Sequence, residues 1–253
     1  RLAGGVPRFV TLRRPDYAID WDAFARVLTP RTRLVLVNSP HNPTGTVWSD
    51  EDVRALAALV EGTRVIVVSD EVYEHLVFDG RRHESLARQP ALAARTAVIS
   101  SFGKTFHTTG WKIGWVAAPA AVAAEIQKVH QFVTFAVNTP IQHAYADLLS
   151  RGVDFGEVAR FYQAKRDRFL AAIAGSRFAP VACRGTYFQV LDYSAISGEP
   201  DQQMAMRLLT EHGVASIPTS AFLEGEPAPP VLRFCFAKKD ETLDAAAARL
   251  REV

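Results

Sequence analysis

The sequence has few cysteines, no long apolar run and almost no net charge, and each shortage excludes a class of protein. Its two cysteines, Cys183 and Cys235, lie far apart, which excludes a small fold held together by disulfides and predicts reduced thiols. No segment approaches the ~18 apolar residues that a transmembrane helix needs. A net charge of +2 without a basic block points to neither a nucleic-acid nor a membrane partner. We expect a cytoplasmic protein.

The sequence also lacks an ordinary start. It opens on Arg1 without an initiating methionine or a helix cap, and a Gly-Gly pair follows at residues 4–5. We therefore expect the C-terminal portion of a longer chain. A length of 253 residues allows one large or two modest domains. The pattern predicts a large domain over residues 1–152, a connecting helix over residues 153–175 and a smaller domain over residues 176–253.

Short apolar runs alternate with helical segments in the first part of the chain. The runs at residues 33–38, 65–70, 97–100 and 113–117 predict strands, the first two typical of strands buried on both faces. Ser49 and Asp52 have the spacing of a capping box and predict a helix between the first two strands. This alternation predicts an α/β fold, an open and mostly parallel sheet with helices on both faces. Shorter mixed elements after residue 175 predict a small α+β domain.

Polar side chains follow three of the predicted strands. They are Asn42, Asp70 with Tyr73, and Ser101 with Lys104. Taken singly, each has an ordinary structural explanation: the aspartate as a helix cap, Asn-Pro as a turn, the tyrosine as a core aromatic residue. Ligands of open α/β sheets bind outside the carboxyl ends of the strands. All of these residues at one sheet edge therefore predict a site.

Lys104 is the residue around which this predicted site is organised. It stands at the end of a buried strand among the glycines at 103, 110 and 114, with Lys112 eight residues later. Desolvation at such a position favours the neutral amine, which is the form that a Schiff-base lysine uses. A phosphate-binding loop for nucleotides needs a glycine where this sequence has Val98, which argues against nucleotide binding. Asp70 and Glu71 have only His75 nearby as a further ligand, and we expect no metal site.

Four motifs in order resemble those of the class I aminotransferases, which are fold-type I pyridoxal phosphate enzymes. They are Asn-Pro-Thr-Gly at residues 42–45, Ser-Asp-Glu-Val-Tyr at 69–73, Ser-Phe-Gly-Lys at 101–104 with Gly-Trp-Lys at 110–112, and Arg-Phe-Cys-Phe-Ala at 233–237. The resemblance covers essentially the whole chain. It implies an αβα sandwich as the large domain, a smaller α+β C-terminal domain and a homodimeric full-length enzyme. Finer features are similar to those of bacterial methionine aminotransferases and kynurenine–oxoglutarate transaminases.

The resemblance also implies a role for each site residue toward pyridoxal 5′-phosphate. Lys104 would form the Schiff base and then move a proton between the substrate Cα and the C4′ atom of the cofactor. Asp70 would pair with the pyridine nitrogen and keep it protonated. Asn42 and Tyr73 would hydrogen-bond the phenolic oxygen of the cofactor.

The remaining roles concern anionic groups. Ser101 and Lys112 would bind the cofactor phosphate, with a lysine where many relatives have an arginine. Arg233 would bind the substrate carboxylate as a planar fork, with Asn42 as a second substrate contact. Phe132, Phe135, Tyr187 and Phe188 indicate an apolar, aromatic substrate pocket, although core packing explains them equally well.

The implied activity is transfer of an amino group from methionine, an aromatic or a kynurenine-like amino acid to a 2-oxo acid. Two alternatives stay open at this point. One is a cysteine-conjugate or carbon–sulfur β-lyase on the same scaffold, and the other is a non-catalytic, truncated aminotransferase-like fragment. Members of the family carry roughly a third of their chain before the point that matches Arg1, including a glycine-containing phosphate loop. We therefore also expect exposed sheet surface in this chain.

Overall fold

A computed structural model describes residues 3–225 and 227–253, and residues 1, 2 and 226 lie outside the described part. The described residues group by their packing into two units. The first contains residues 3–39, 48–72 and 84–145, and the second contains residues 40–47, 73–83 and 146–253. The domain boundaries predicted from the sequence, at residues 152 and 175, stay a prediction.

The first unit contains a four-stranded sheet in the order β1-β2-β3-β4. Its strands are β1 (Leu34–Asn38), β2 (Ile66–Asp70), β3 (Thr96–Ser101) and β4 (Gly114–Ala117). The first three are parallel, and β4 is antiparallel to β3. The four strands predicted from the apolar runs are therefore confirmed. The register places Asn38 beside Asp70 and Asp70 beside Ile99, so the polar ends of β1 and β2 meet at one edge of the sheet.

Six helices accompany this sheet within the described residues. They are α1 (Trp21–Val27), α2 (Asp50–Val60), α3 (Pro90–Ala93), α4 (Phe102–Thr105), α5 (Ala120–Val133) and α6 (Thr139–Ser150), which ends in the second unit. The capping box that begins α2 is present, because Ser49 accepts from the backbone of Asp52 and Asp52 accepts from the backbone of Ser49. Residues of α2 then pack on one face of the sheet, against Val35, Val37 and Val67. This face is the hydrophobic core of the unit.

The opposite face of β1 is open. Leu34, at the start of the strand, is 54% exposed, and Leu36, in its middle, is 68% exposed. The prediction that β1 is buried on both faces is therefore wrong for this face, and the expected exposed sheet surface is confirmed. The continuous apolar run of residues 34–37 is typical of a strand covered on both faces, but it does not show which segment covers each face.

The second unit contains an antiparallel sheet in the order β5-β6-β8-β7. Its strands are β5 (Ala179–Pro180), β6 (Phe188–Asp192), β7 (Ile217–Pro218) and β8 (Val231–Cys235). The helices α7 (Phe155–Ala172), α8 (Asp201–His212) and α9 (Asp240–Leu250) belong to the same unit. Within the described residues, no helix is long and apolar enough to cross a membrane.

Two segments from the first part of the sequence join this second unit through backbone contacts around Gly185. The backbone N–H of Arg184 donates to the Gly45 carbonyl at 2.9 Å, and that of Thr186 donates to the Leu76 carbonyl at 2.9 Å. A Cβ atom at residue 185 would lie 2.8 Å from the Leu76 oxygen and 2.9 Å from side-chain atoms of both Pro40 and Val47. Only a glycine permits this approach, so Gly185 holds both segments in place.

We expect Gly185→Ala to destabilise the protein by about 2 kcal/mol, because the added methyl group forces backbone and side chains apart in a packed region. The free energy of unfolding in urea measures this. Gly198→Ala is the matched control, since a Cβ at residue 198 meets no atom within 4 Å. Equal unfolding free energies for the two variants would contradict the steric explanation.

Candidate active site

Asp70 ends β2 with a half-buried carboxyl group. Its only hydrogen-bond partner among the described residues is the backbone N–H of Val72, which donates to Oδ1 at 3.3 Å. Burial raises the pKa of this carboxyl group above its ordinary value of 3.8. The Val72 N–H and the positive charge of Lys104 oppose this increase.

Lys104 lies in the short helix α4, directly after β3. Gly103 permits this turn, because a Cβ there would lie 3.0 Å from the Thr109 Cα and 3.1 Å from the Thr108 oxygen. The backbone N–H of Thr108 and the hydroxyl of Thr109 both donate to the Gly103 carbonyl. The residue that bears the amine is therefore fixed by backbone contacts on its N-terminal side.

Tyr145 supports the same turn. Its buried ring packs against Phe102 at 4.7 Å, Phe106 at 5.8 Å and Trp111 at 5.7 Å between ring centroids. Its hydroxyl also forms a hydrogen bond with that of Thr108. Aromatic packing of this kind restricts the turn that carries Lys104. The sequence alone gave no reason to connect Tyr145 with the site.

Ser101 and Lys112 lie at the adjoining ends of β3 and β4. Ser101 pairs with Gly114, where a Cβ would lie 2.6 Å from the Ser100 oxygen, so a glycine is required for this pairing. Lys112 is exposed and has a φ of 58°, in the left-handed region. A non-glycine residue there costs about 1 kcal/mol, and such positions cluster at functional sites.

Asp70 and Lys104 share one property: neither has a side-chain hydrogen-bond or ion-pair partner among the described residues, although both are half-buried. Half-buried charged groups are usually paired, because an unpaired charge loses its hydration without compensation. The first unit therefore presents an acid and an amine that remain available to a ligand.

Asn42 lies in a tight loop of the second unit. The loop is closed by backbone hydrogen bonds between His41 and Thr46 and between Gly45 and His41. The His41 ring shares a hydrogen bond of 2.8 Å with the Thr44 hydroxyl, and burial lowers the pKa of His41 to about 4. His41 is therefore neutral at physiological pH and serves the loop as a hydrogen-bonding group.

Arg233, on β8 of the same unit, contacts Asn42 directly. Its Nη1 donates to the Asn42 Oδ1 at 2.7 Å. The guanidinium carbon lies 4.0 Å from the centroid of the Phe188 ring and 5.3 Å from that of Phe222. Burial lowers the pKa of Arg233 below its ordinary value. The result is a half-buried cation on a rigid strand, which is suited to binding a carboxylate.

Tyr73 belongs to the same unit and is buried. Its ring contacts Tyr187 edge-on at 5.2 Å and Phe188 at 6.1 Å between centroids. Phe132 and Phe135 are not part of this group. They lie in the first unit, 86% and 84% exposed. For these two residues the aromatic pocket stays a prediction.

The predicted site residues thus form two sets. The first unit holds Asp70, Ser101, Lys104 and Lys112, and the second holds Asn42, Tyr73 and Arg233. Phe222 belongs to the second set through its contact with Arg233, and His41 through its place in the Asn42 loop; neither was predicted from the sequence. The position of His41 beside Asn42 was a signal, whereas Phe222 lies in a short 3-10 turn (Thr219–Phe222) without periodicity.

Residues 1–250 match the family model described as aminotransferase class I and II. The chain therefore belongs to this family, whose members use pyridoxal phosphate. It is 47% identical over 254 residues to a methionine aminotransferase of Escherichia coli (strain K12), which covers 100% of this chain and 66% of the relative. It is 37% identical over 284 residues to a kynurenine–oxoglutarate transaminase of Dictyostelium discoideum, covering 97% and 65% of the two chains.

Comparison with solved structures also gives aminotransferases. The crystal structure of YbdL from Escherichia coli, reported with a methionine aminotransferase function, superposes with a TM-score of 0.96 at 46% identity over 100% of this chain and 67% of that one. N-Succinyldiaminopimelate aminotransferase from Mycobacterium tuberculosis superposes with a TM-score of 0.89 at 38% identity, over 98% and 64%. The predicted fold type I is confirmed. The chain spans about two thirds of the length of these relatives.

The unpaired carboxyl group of Asp70 has a measurable consequence in the cofactor-free protein. Because its pKa is raised in the folded state, its contribution to stability is fully present below 3.8 and is lost as the pH rises through the raised value. We expect Asp70→Asn to raise the free energy of unfolding at neutral pH by about 0.5 kcal/mol, allowing for partial exposure.

Urea unfolding of the cofactor-free protein at several pH values measures this difference, which should vanish toward acidic pH. Asp244→Asn is the control, because the hydrogen bond from Arg168 lowers the pKa of Asp244, and removing that charge should not stabilise the protein. A cofactor-free Asp70→Asn protein that is less stable than wild type at neutral pH would show that the carboxylate is not desolvated.

Proposed function

We propose that this chain provides the catalytic lysine and the substrate-carboxylate site of a pyridoxal-phosphate-dependent aminotransferase. The observation that carries the proposal is the pair formed by Asp70 and Lys104 at the ends of adjacent strands. Both are half-buried without a side-chain partner among the described residues, and their charges interact. An acid and an amine kept in this state are suited to a cofactor that bears both an aldehyde and a ring nitrogen.

The residues of the first unit fit this cofactor. We assign Lys104 to the covalent bond with it, Asp70 to its ring nitrogen, and Ser101 and Lys112 to its phosphate. The family resemblance adds Asn42 and Tyr73 as partners of its phenolic oxygen. When bound, pyridoxal phosphate supplies an electron sink that stabilises negative charge at the substrate Cα.

Each residue then acts in its own way. Asp70, as a carboxylate, would accept a hydrogen bond from the ring nitrogen and so would keep it protonated. The amine of Lys104, held by the α4 turn, would be the single base that takes the proton from the substrate Cα and delivers a proton again as the amino group is transferred. Arg233 binds the substrate carboxylate as a planar fork, and its hydrogen bond to Asn42 fixes the plane of the guanidinium group.

The substrate class follows from the relatives. We propose an amino donor such as methionine, an aromatic or a kynurenine-like amino acid, and a 2-oxo acid as acceptor. The named relatives support this range without selecting one donor. We also propose that the enzyme is a homodimer, which the family resemblance supports, and that it is cytoplasmic.

Borohydride reduction of the protein loaded with pyridoxal phosphate tests the cofactor assignment. We expect a stable phosphopyridoxyl group on the peptide that contains Lys104, detected by mass spectrometry, because reduction fixes the cofactor on the amine that binds it. Lys104→Arg should abolish the label, whereas Lys112→Arg should keep it, since we assign Lys112 to ionic contact with the phosphate. A label on another lysine in the wild-type protein would contradict the assignment.

Product analysis distinguishes transamination from β-elimination. With a cysteine conjugate as donor and a 2-oxo acid as acceptor, we expect the 2-oxo acid of the donor to exceed pyruvate and thiol. Both reactions begin with removal of the Cα proton by Lys104, so Lys104→Ala should abolish both. Dominant release of pyruvate and thiol would contradict the transaminase and favour the β-lyase.

A further inference from the structure

The guanidinium group of Arg233 lies over an aromatic ring of the neighbouring strand. Arg233 pairs with Val190 in the register of β6 and β8, and Phe188 is two residues from Val190 on the same face of the sheet. This diagonal position brings the Phe188 ring within 4.0 Å of the guanidinium carbon. Phe188 is itself buried, and its ring contacts Tyr73 and Tyr187 edge-on. The ring is therefore a fixed platform beneath the cation.

A second ring, Phe222, approaches Arg233 from a turn that is fixed from two directions. Its centroid lies 5.3 Å from the guanidinium carbon. The hydroxyl of Thr219 donates to the Val231 carbonyl on β8 at 3.2 Å. The backbone N–H of Ser220 donates to the buried carboxylate of Asp201 at 2.6 Å. Phe222 thus keeps its place near Arg233 although its own ring is half exposed.

We propose that Phe188 and Phe222 are positioning residues of the carboxylate site, which hold the Arg233 guanidinium oriented and desolvated for an anionic substrate group. Two aromatic rings and the Asn42 oxygen then restrict the cation before any substrate arrives, and a guanidinium fork fixed in advance loses less entropy when it binds a carboxylate. The proposal rests on the proposed role of Arg233. It adds that the aromatic rings set the preference for a charged carboxylate over a neutral group of the same shape.

The test compares binding of 3-phenylpropionate with that of its neutral amide by calorimetry, using the protein loaded with pyridoxal phosphate. The measured quantity is the ratio of the two dissociation constants. We expect Phe188→Leu to reduce the preference for the carboxylate about tenfold and Phe222→Leu about threefold, because a cation–π contact is stronger at the buried ring. Phe188→Tyr and Phe222→Tyr should retain the wild-type preference, since they keep a ring.

Two further phenylalanines of the same unit serve as controls. Phe178 is buried and contacts Phe234, and Phe161 is half exposed on α7. Phe178→Leu and Phe161→Leu remove comparable rings elsewhere and should leave the carboxylate preference unchanged. A general loss of stability would affect binding of the acid and of the amide alike, whereas loss of positioning affects the acid alone.

The possible outcomes distinguish failure of this proposal from failure of the proposed function. If the wild-type protein binds acid and amide equally, or if Arg233→Gln keeps the preference, the assignment of Arg233 to the carboxylate is wrong. If Arg233→Gln removes the preference but the leucine variants keep it, the positioning role of the rings is wrong. Should Phe188→Leu fail to fold, Phe222→Leu decides the outcome, because removing a half-exposed ring leaves no buried cavity.

Discussion

The arrangement of the second unit depends on a backbone approach at Gly185 that leaves room for a hydrogen atom and nothing larger. At this point the chain between α7 and β6 meets the loop that carries Asn42 and the segment that carries Tyr73. Without that approach, neither segment would lie against the strand that follows. The hydrogen bond between Asn42 and Arg233 therefore depends on close backbone packing. The same packing fixes the position of the Arg233 guanidinium group in the proposed carboxylate site.

In the first unit, Asp70 and Lys104 are held in place but have no side-chain partner among the described residues. Tyr145 and the Gly103 carbonyl restrict the turn of Lys104, while the amine itself contacts no side-chain partner among the described residues. Asp70 is likewise buried in part, and no described residue forms an ion pair or side-chain hydrogen bond with its carboxyl group. Such groups lower the stability of the free protein and are stabilised when a complementary ligand binds, which is the usual relation between stability and activity at catalytic sites.

Much of the site could be predicted from the sequence because its residues follow strands. The carboxyl ends of parallel strands meet at one edge, so Asp70 and Lys104 could be assigned to one site from two apolar runs alone. The glycine spacing before Lys104 then excluded a nucleotide loop. Family motifs supplied the roles, which residue types and spacing alone could not have done.

The parts that sequence reasoning missed depend on contacts between distant segments. The residue pattern could not place the open face on β1, since Leu34 and Leu36 have the same pattern whether or not something covers them. Exposed sheet surface was expected from the family resemblance alone. The contact of Phe222 with Arg233 could not be predicted either, because an irregular turn has no periodicity and its position is set by Asp201 and by β8. The assignment of residues 40–47 to the second unit depends on Gly185, which is more than a hundred residues later in the sequence.

The bond between Asn42 and Arg233 joins residues that are 191 positions apart in the chain. At a synthesis rate of about 5 to 20 residues per second, about 10 to 40 s separate the two on the ribosome. During this interval the Asn42 loop exists without its guanidinium partner, and the hydrogen bonds among His41, Thr44 and Thr46 are local enough to form first. The last strand in sequence order, β8, then brings the arginine to a loop whose own hydrogen bonds span at most five residues.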